Sequence, residues 1–376
     1  MNSVNSLYLH FPFCRHLCNY CDFFKHKLEG SDQVIAFEKK LEHQFRLHEE
    51  YLTLKGFRLS PLHTFYIGGG TPSLWGKRGV EFIHDLFQKN IISLRNENEF
   101  TIEVDPDAWS ESEIEKWIDL GVNRFSIGVQ AFSDKFMQIM DRTHSLADVK
   151  KTLDFFSQRN LNFSVDLMIG LPHSEDRDLS SELSELIKYH PNHFSVYILK
   201  TRKNYPLKVQ LPSDDLIRDE YLKVCNILKS FGYEQYEVSN FARDGFFSKH
   251  NMNYWHYQSV AGIGPNATGL LVSDEGNVAT RYQWKSVGQG VSEEVLRGTS
   301  LIIEKLFLGL RFKHGFNPYE LFRRESDALI LNQLFLDWKE KGYLAEKSKK
   351  DELYLTSLGY LMCDSLIDDI FKEIDF

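Results

Sequence analysis

The sequence CRHLCNYC, residues 14–21, decides how the rest of the chain is interpreted, because it places three cysteines within eight residues. The spacing is C-x₃-C-x₂-C, and the chain's two other cysteines lie far downstream. Cysteine thiolates are the usual ligands of iron–sulfur clusters. Cys14, Cys18 and Cys21, on one short loop, can therefore hold three corners of such a cluster.

A structural zinc site is the main alternative at this loop. Zinc prefers four protein ligands in closed tetrahedral geometry, and no fourth cysteine follows nearby. His10, His16 or His26 could complete a zinc site, so this alternative stays open. A disulfide framework is disfavoured, because three cysteines leave one over and nothing in the sequence indicates an oxidising compartment.

Length and composition are those of an ordinary globular protein that can bury a large core. The 376 residues are 42% hydrophobic and 26% charged, which is enough for one large domain and a smaller one. The net charge of −9 argues against nucleic acid or an anionic membrane as the main partner. We find neither an apolar run long enough to span a bilayer nor a signal peptide, and we expect a cytoplasmic protein.

Short apolar segments alternate with helical patterns along the first two hundred residues, which predicts βαβ units and a parallel sheet. The six predicted strands are Leu7–Phe11, His63–Ile67, Phe100–Val104, Asn123–Val129, Asn162–Ile169 and His193–Leu199.

Each predicted strand has one apolar and one polar face. In the third, Ile102 and Val104 oppose Thr101 and Glu103. Since successive side chains point to opposite faces, we expect the apolar face to meet the helices and the polar face to line a wet or ligand-filled barrel interior. An antiparallel sheet with one solvated face is the alternative.

Candidate ligand-binding residues follow the predicted strands. A glycine turn, GGGTP at residues 68–72, follows the second strand, and glycines allow close backbone approach to a ligand. Glu103, Gln130 and Asp166 lie at the ends of the next three strands. Each of these features alone could be structural.

The stretch YLHFPFCRHLCNYCDF, residues 8–23, resembles the opening of the HemN/HemW family of radical S-adenosylmethionine (SAM) proteins, and the resemblance covers nearly the whole chain. It implies an α/β fold, a partial (β/α)6 barrel whose ligands bind at the carboxyl ends of the strands. It also implies that Cys14, Cys18 and Cys21 bind a [4Fe–4S] cluster whose fourth iron is left open for SAM.

The resemblance further implies a set of residues that contact SAM, which are Tyr8, Tyr20, Gly69, Gly70, Thr71, Glu103, Gln130, Arg142 and Asp166. The planar guanidinium of Arg142 would suit a carboxylate, and Glu103 and Asp166 would suit hydroxyl or ammonium groups. The chain departs from the family at Asp105, where relatives more often carry Asn, and this adds a charge near the expected pocket.

The motif HNMNYW, residues 250–255, resembles the His-Asn-x-x-Tyr-Trp signature of the HemW branch, where the histidine is held to be important for heme binding. A single histidine beside aromatic residues is more often structural. Two features favour HemW over the HemN enzymes: Phe23 stands where those enzymes carry another cysteine, and only 13 residues precede Cys14.

The resemblance predicts three parts of the chain: a radical SAM barrel over residues 1–240, a connecting segment with the HNMNYW motif over 241–299, and a small winged-helix-like domain over 300–376. The acidic end of the last part argues against DNA binding, and we expect a lid or partner surface instead. Cys225 and Cys363 should be dispensable for the cluster.

Three functions remain as hypotheses. The first is a heme chaperone that carries heme to an acceptor hemoprotein, with the cluster and SAM site retained. The second is an oxygen-independent coproporphyrinogen III dehydrogenase, and the third is a radical SAM enzyme with an unrelated substrate. The family also implies an electron donor such as a flavodoxin or ferredoxin, and a homodimer is possible.

Overall fold

A computed structural model describes residues 1–202, 204–285, 290–313, 315–322, 324–349 and 351–374. The strands are β1 (Asn2–Phe11), β2 (Phe13–Cys14), β3 (His26–Lys27), β4 (Phe57–Gly69), β5 (Leu94–Val104), β6 (Arg124–Gln130), β7 (Phe163–Ile169), β8 (His193–Ile198), β9 (Glu234–Gln235), β10 (Asn240–Ala242), β11 (Ala261–Ile263), β12 (Thr268–Val272), β13 (Ala279–Trp284) and β14 (Val291–Leu296).

Twelve α-helices lie within the described residues. They are α1 (Ser31–Leu54), α2 (Gly76–Gln88), α3 (Glu111–Leu120), α4 (Asp134–Ile139), α5 (Leu146–Gln158), α6 (Leu179–Ile187), α7 (Asp214–Ser230), α8 (Lys249–Trp255), α9 (Thr299–Gly309), α10 (Glu325–Glu340), α11 (Ser357–Leu361) and α12 (Cys363–Glu373). None of the described helices is long and apolar enough to cross a membrane.

The six predicted strands form the centre of one nine-stranded sheet, in the order β11-β1-β4-β5-β6-β7-β8-β10-β9. Strands β1, β4, β5, β6, β7 and β8 are parallel to one another, which excludes the antiparallel alternative. Short strands flank them: β11 pairs parallel with β1, and β10 pairs antiparallel with β8. The fold is therefore the predicted α/β partial barrel.

The apolar face of the central strands meets the helices, as the alternation predicts. Register places Leu9 beside Ile67 and Ile67 beside Ile102, and all three are fully buried in the main core. Helix α1 and the aromatic rings of Phe11 and Trp75, stacked 5.1 Å apart, close this layer. Since the apolar residues face outwards, the polar residues of each strand point into the barrel.

The segment after the barrel is more ordered than a connector. Strands β12, β13 and β14 form an antiparallel sheet that packs on α1, where the Tyr282 hydroxyl lies 2.7 Å from His48 Nε2. The periodicity-based prediction missed this sheet, because its strands are short and their burial does not alternate regularly: three consecutive residues of β12 are buried, and three consecutive residues of β14 are exposed.

The last part of the chain has a hydrophobic core of its own, built around Leu306, Leu331, Trp338, Leu366 and Ile370. Helices α9, α10, α11 and α12 surround this core, and isolated bridges between residues 344 and 355 and between 349 and 352 form a small wing. We call this part, from residue 300 onwards, the C-terminal module. Its helices and wing match the predicted winged-helix-like arrangement.

Candidate functional site

The three-cysteine loop lies between β2 and β3, and backbone hydrogen bonds fix both of its ends. The His26 amide donates to the Pro12 carbonyl at 2.7 Å and the Leu28 amide to the Cys14 carbonyl at 2.8 Å. Within the loop, Lys25 Nζ donates to the Cys21 carbonyl at 2.6 Å. All three thiols line one cavity of about 730 Å³ at the carboxyl ends of the strands.

Burial favours the protonated form of two of the three thiols, those of Cys14 and Cys18. Burial raises the pKa of Cys14 to about 11, against a hydrogen bond with Thr71 that lowers it. Burial also raises the pKa of Cys18, and the nearby Arg142 guanidinium opposes that effect. Metal binding must therefore displace protons from these thiols.

The donor set suits a cluster better than a single ion. Among the described residues, no three His, Cys, Asp or Glu side chains are grouped so that one metal ion could bind them. A zinc site needs such convergence, whereas each thiolate of a multi-iron cluster binds its own iron. The zinc alternative therefore has no ligand set in the described part of the chain, and three separate thiols beside a cavity fit a cluster with one open iron.

The glycine turn after β4 packs closely against the residues that precede the cysteine loop, because its glycines carry no side chains. Gly69 has φ +118°, and a Cβ there would lie 2.7 Å from the His10 ring; a Cβ on Gly70 would lie 2.6 Å from the Phe13 carbonyl oxygen. The amides of Gly69, Gly70 and Thr71 already donate to Glu103, Phe11 and Phe13. The glycines therefore serve close packing of the turn against His10 and Phe13, and the three amides are not free for a ligand.

Two buried carboxyl groups face the cavity from neighbouring parts of the barrel. Glu103 accepts hydrogen bonds from the Gly69 amide at 2.9 Å and the Tyr66 hydroxyl at 3.0 Å. Burial raises the pKa of Glu103 to about 7. Asp166 accepts from Ser126 at 3.0 Å, and burial raises its pKa to about 6. A ligand with hydroxyl or ammonium groups would favour the ionised form of both.

Arg142 and Asp105 form an ion pair at the cavity wall, with His144 Nδ1 3.1 Å from Asp105 Oδ1. Burial alone would raise the pKa of Asp105, but Arg142 and His144 outweigh it and hold the pKa well below its usual range. The extra charge at Asp105 is thus compensated within the protein. The Arg142 Nε is buried and has no hydrogen-bond partner among the described residues, so this guanidinium retains donor capacity for a ligand.

Gln130 lies at the end of β6 in a left-handed backbone conformation, with φ +66°. The pairing between β6 and β7 shifts register just before it. A non-glycine residue in this conformation is uncommon and often marks a functional site. The irregularity helps to place the Gln130 side chain at the cavity.

The structure brings together eleven of the thirteen predicted site residues around this cavity, which are Cys14, Cys18, Tyr20, Cys21, Gly69, Gly70, Thr71, Glu103, Gln130, Arg142 and Asp166. Tyr8 and His250 lie elsewhere. The Tyr8 hydroxyl is 3.0 Å from His10 Nδ1, and its ring lies 6.5 Å from that of His250, deeper in the barrel.

His250 is 2% exposed at the start of α8, which fills the barrel near the amino ends of the strands. Its Nδ1 is 2.9 Å from Thr64 Oγ1 and its Nε2 is 3.4 Å from the Tyr254 hydroxyl. Burial lowers the pKa of His250 to about 3, so the imidazole is neutral. Both ring nitrogens have hydrogen-bond partners in this arrangement, so an iron that binds His250 must displace Thr64 or Tyr254 from the ring. Its role in heme binding stays a prediction.

Residues that the sequence did not indicate complete the cavity. Tyr197 and Lys200 come from the end of β8, and Arg311, Tyr360 and Leu361 come from the C-terminal module. They belong to no motif, and the module residues are over a hundred positions from the barrel strands. Only the alternation of β8, which points Tyr197 inwards, carried a signal.

Comparison with known proteins gives the family. The Radical SAM superfamily model matches residues 8–186. The chain is 33% identical to the heme chaperone HemW of Lactococcus lactis, over 92% of this chain and 95% of that protein. It is 29% identical to the heme chaperone HemW of Buchnera aphidicola subsp. Schizaphis graminum, over 96% and 98% of the two chains.

Two further relatives extend the comparison. The chain is 32% identical to the mitochondrial radical S-adenosyl methionine domain-containing protein 1 of Danio rerio, over 88% of this chain and 78% of that protein. The structure of coproporphyrinogen III oxidase HemN from Escherichia coli superposes with a TM-score of 0.78 at 18% identity, covering 98% and 90% of the two chains, and this likeness shows the fold. By the extent and level of these similarities, the chain belongs to the HemW family of radical SAM proteins.

Proposed function

We propose that this protein is a heme chaperone, which binds heme and transfers it to an acceptor hemoprotein. The observation that carries the proposal is the similarity to HemW proteins over nearly the full length of both chains. It spans the barrel and the C-terminal module together, and both contribute walls to the cavity of about 730 Å³.

In this proposal Cys14, Cys18 and Cys21 hold a [4Fe–4S] cluster, and SAM occupies the adjoining part of the cavity. A reduced cluster supplies an electron to SAM when both are bound. Arg142 offers its unpaired Nε to the SAM carboxylate, and the glycine turn lines the same cavity. Glu103 and Asp166 accept hydrogen bonds from ammonium or hydroxyl groups. Tyr8 does not line the cavity. It therefore acts on the SAM site indirectly, through neighbours such as His10, whose Nδ1 lies 3.0 Å from the Tyr8 hydroxyl.

The alternative function is oxygen-independent coproporphyrinogen III dehydrogenase, which decarboxylates two propionates to give protoporphyrinogen IX. The likeness to HemN supports it only at the level of the fold. Phe23, in the place of a further cysteine, is 66% exposed and offers no ligand or acid–base group at the cavity. We therefore retain the dehydrogenase as an outcome of the test below.

Several further properties belong to the same proposal. The three parts are the barrel over 1–240, the segment with the HNMNYW motif over 241–299, which adds β11 and the sheet β12-β13-β14, and the module over 300–376. The cysteines are free thiols, which suits the reducing cytoplasm. The electron donor is a small redox protein such as a flavodoxin or ferredoxin, and a homodimer is compatible with the family.

The test uses the full chain, reconstituted with iron and sulfide under anaerobic conditions. Heme titration followed at the Soret band should show saturable binding, and transfer should appear as a spectral shift when an apo-b-type cytochrome is added. Parallel reactions with SAM, a reductant and coproporphyrinogen III should yield no decarboxylated product. Absence of heme binding, or decarboxylation at a catalytic rate, would overturn the chaperone.

A further inference from the structure

The cavity extends beyond the residues that suit the cluster and SAM. Its far wall is built from the end of β8, the segment before β10 and the C-terminal module. We call this part the outer compartment and define it by Tyr197, Lys200, Val238, Arg311, Tyr360 and Leu361. None of these six belongs to the cluster loop, the glycine turn or the acidic residues of the barrel.

Arg311 presents a buried cation to the outer compartment. Its side chain is 17% exposed, and its guanidinium carbon lies 3.3 Å from the centre of the Phe307 ring. One nitrogen binds Asp364, whose own side chain is 67% exposed. The Nε is buried and finds no partner among the described residues.

This pairing leaves Arg311 available to a ligand. An ion pair with a mostly exposed carboxylate is worth little, because solvent screens it. A guanidinium has five N–H donors in a planar fork. Asp364 and the Cys363 thiol engage part of this fork, and the buried Glu237 lies close enough for Arg311 to oppose the rise that burial causes in the pKa of its carboxyl. The buried Nε still has no partner among the described residues. A ligand carboxylate entering the cavity can bind the rest of the fork with better shielding from water.

Lys200 adds a second cation to the same wall. It follows β8 at the carboxyl end of the strand, is exposed, and forms no ion pair within the described residues. An ammonium on a flexible stem adapts to a carboxylate whose position is set elsewhere. The outer compartment thus has two cations for a negatively charged ligand: Arg311, held in place by its contacts, and Lys200, on a flexible side chain.

Aromatic and aliphatic side chains form much of the remaining wall, with Ser239 and Asp364 among them. Tyr197 is 44% exposed, although Ser195 and Val196 before it are buried, so its ring presents surface to the cavity. Val238 and Leu361 are partly buried aliphatic neighbours, and Tyr360 closes the wall. An aromatic ring with aliphatic side chains suits the face of a planar apolar molecule.

We propose that the outer compartment binds the tetrapyrrole, with one carboxylate on Arg311 and another on Lys200. The proposal rests on the proposed heme chaperone function and assigns its cargo a place and an orientation. It also separates the carboxylate anchors from His250, which does not line this cavity.

The experiment compares iron mesoporphyrin, which has two propionates, with its bis-amide, in which both are neutral. Wild-type protein should bind the diacid at least about tenfold more tightly, as expected for charge-assisted hydrogen bonds in a shielded site. Arg311→Gln should lose most of this preference for the diacid. Lys200→Gln should reduce the ratio of the two affinities about threefold. Tyr197→Ala should weaken both porphyrins alike.

Arg159→Gln is the matched control, because Arg159 pairs with Glu115 at 2.7 Å on the helical surface away from the cavity. It should leave both affinities unchanged. Cluster absorbance and SAM affinity should be unchanged in every variant. If Arg311→Gln fails to fold, Arg311→Lys and the exposed Lys200→Gln test the same preference.

The outcomes separate this inference from the proposed function. If wild-type protein binds iron mesoporphyrin but the Arg311 and Lys200 variants keep the full preference for the diacid, the outer compartment is wrong and the chaperone stands. If wild-type protein binds neither porphyrin, the chaperone function is wrong and this inference falls with it.

Discussion

The two ends of the barrel interior use similar polar side chains in opposite ways. At the carboxyl ends of the strands, Glu103 and Asp166 face an open cavity, and the Arg142 Nε lacks a partner among the described residues. Towards the amino ends, Thr64 of β4 and His250 of α8 hydrogen-bond to each other, and both are buried. At the first end polar groups remain available to a ligand, whereas at the second end they form hydrogen bonds with one another.

The closed end is fastened by a buried carboxylate. Glu99 accepts the amides of Lys249 and His250, each at 2.9 Å, and so caps the start of α8. Asn253 donates to Thr64 at 3.1 Å. Because buried polar groups are costly unless paired, this network specifies where α8 sits. Polar residues in this barrel therefore indicate a site where they line open space, as Glu103 and Asp166 do, and not where a helix covers them.

The largest expected effect is the loss of the cluster at the open end of the barrel, with the closed end unchanged. We expect Cys18→Ala to abolish cluster binding while the fold remains, because Cys18 is half-buried on a loop whose ends are tied by backbone bonds. Iron and sulfide content after anaerobic reconstitution and far-UV circular dichroism measure the two effects. Cys225→Ser, in helix α7, is the control and should keep the cluster. Full iron content in Cys18→Ala would remove this ligand assignment.

The next largest effect is the loss of stability when the hydrogen-bond network at the closed end is disrupted. His250→Ala leaves a buried gap and unpaired partners, and we expect the free energy of unfolding to fall by about 3 kcal/mol. We also expect weaker heme binding with the cluster intact. Urea denaturation and Soret titration measure both.

Thr64→Val is the matched variant for this prediction, because it removes the hydrogen-bond partner and keeps the imidazole. If heme binds through His250, Thr64→Val should lose stability but keep the heme spectrum. Equal loss of heme binding in both variants would make His250 a structural residue, and unaltered heme affinity in His250→Ala would exclude it as a ligand.

The smallest expected effect is the dependence of stability on pH that the Glu103 carboxyl at the open end produces. Burial raises the pKa of Glu103 to about 7, with Asp166 adding a like charge. The folded state therefore binds the proton more tightly than the unfolded state, and stability falls as pH rises from about 4.5 to 7. Glu103→Gln removes this loss, so its free energy of unfolding relative to wild type should increase by about 2 kcal/mol between pH 5 and pH 8. A pH-independent difference would show that Glu103 is not a buried acid in solution.

Strand alternation predicted the barrel well, because one apolar face must meet helices whatever fills the interior. The six predicted strands are the six central strands, and residues at their carboxyl ends line the cavity. The same pattern predicted a wet or ligand-filled interior throughout, which holds for only one end. Alternation shows that Thr64 points inwards but not that His250, far along the chain, will pair with it.

The cavity's far wall was beyond reach of sequence reasoning for a similar reason. Arg311 follows a helix without any motif, and its place opposite Tyr197 depends on how the C-terminal module packs. Tyr8 shows the converse, since its match to the family's SAM residues is clear in sequence but its side chain lies below the cavity. Tertiary packing, not local pattern, decides both positions.

The contribution of the C-terminal module to the cavity wall bears on how such proteins diversify. The residues proposed to hold the cluster and SAM belong to strands and loops before residue 200, whereas Arg311, Tyr360 and Leu361 belong to the module. Substitutions in the module can therefore alter which molecule the cavity accepts without changing the residues proposed for the cluster and SAM.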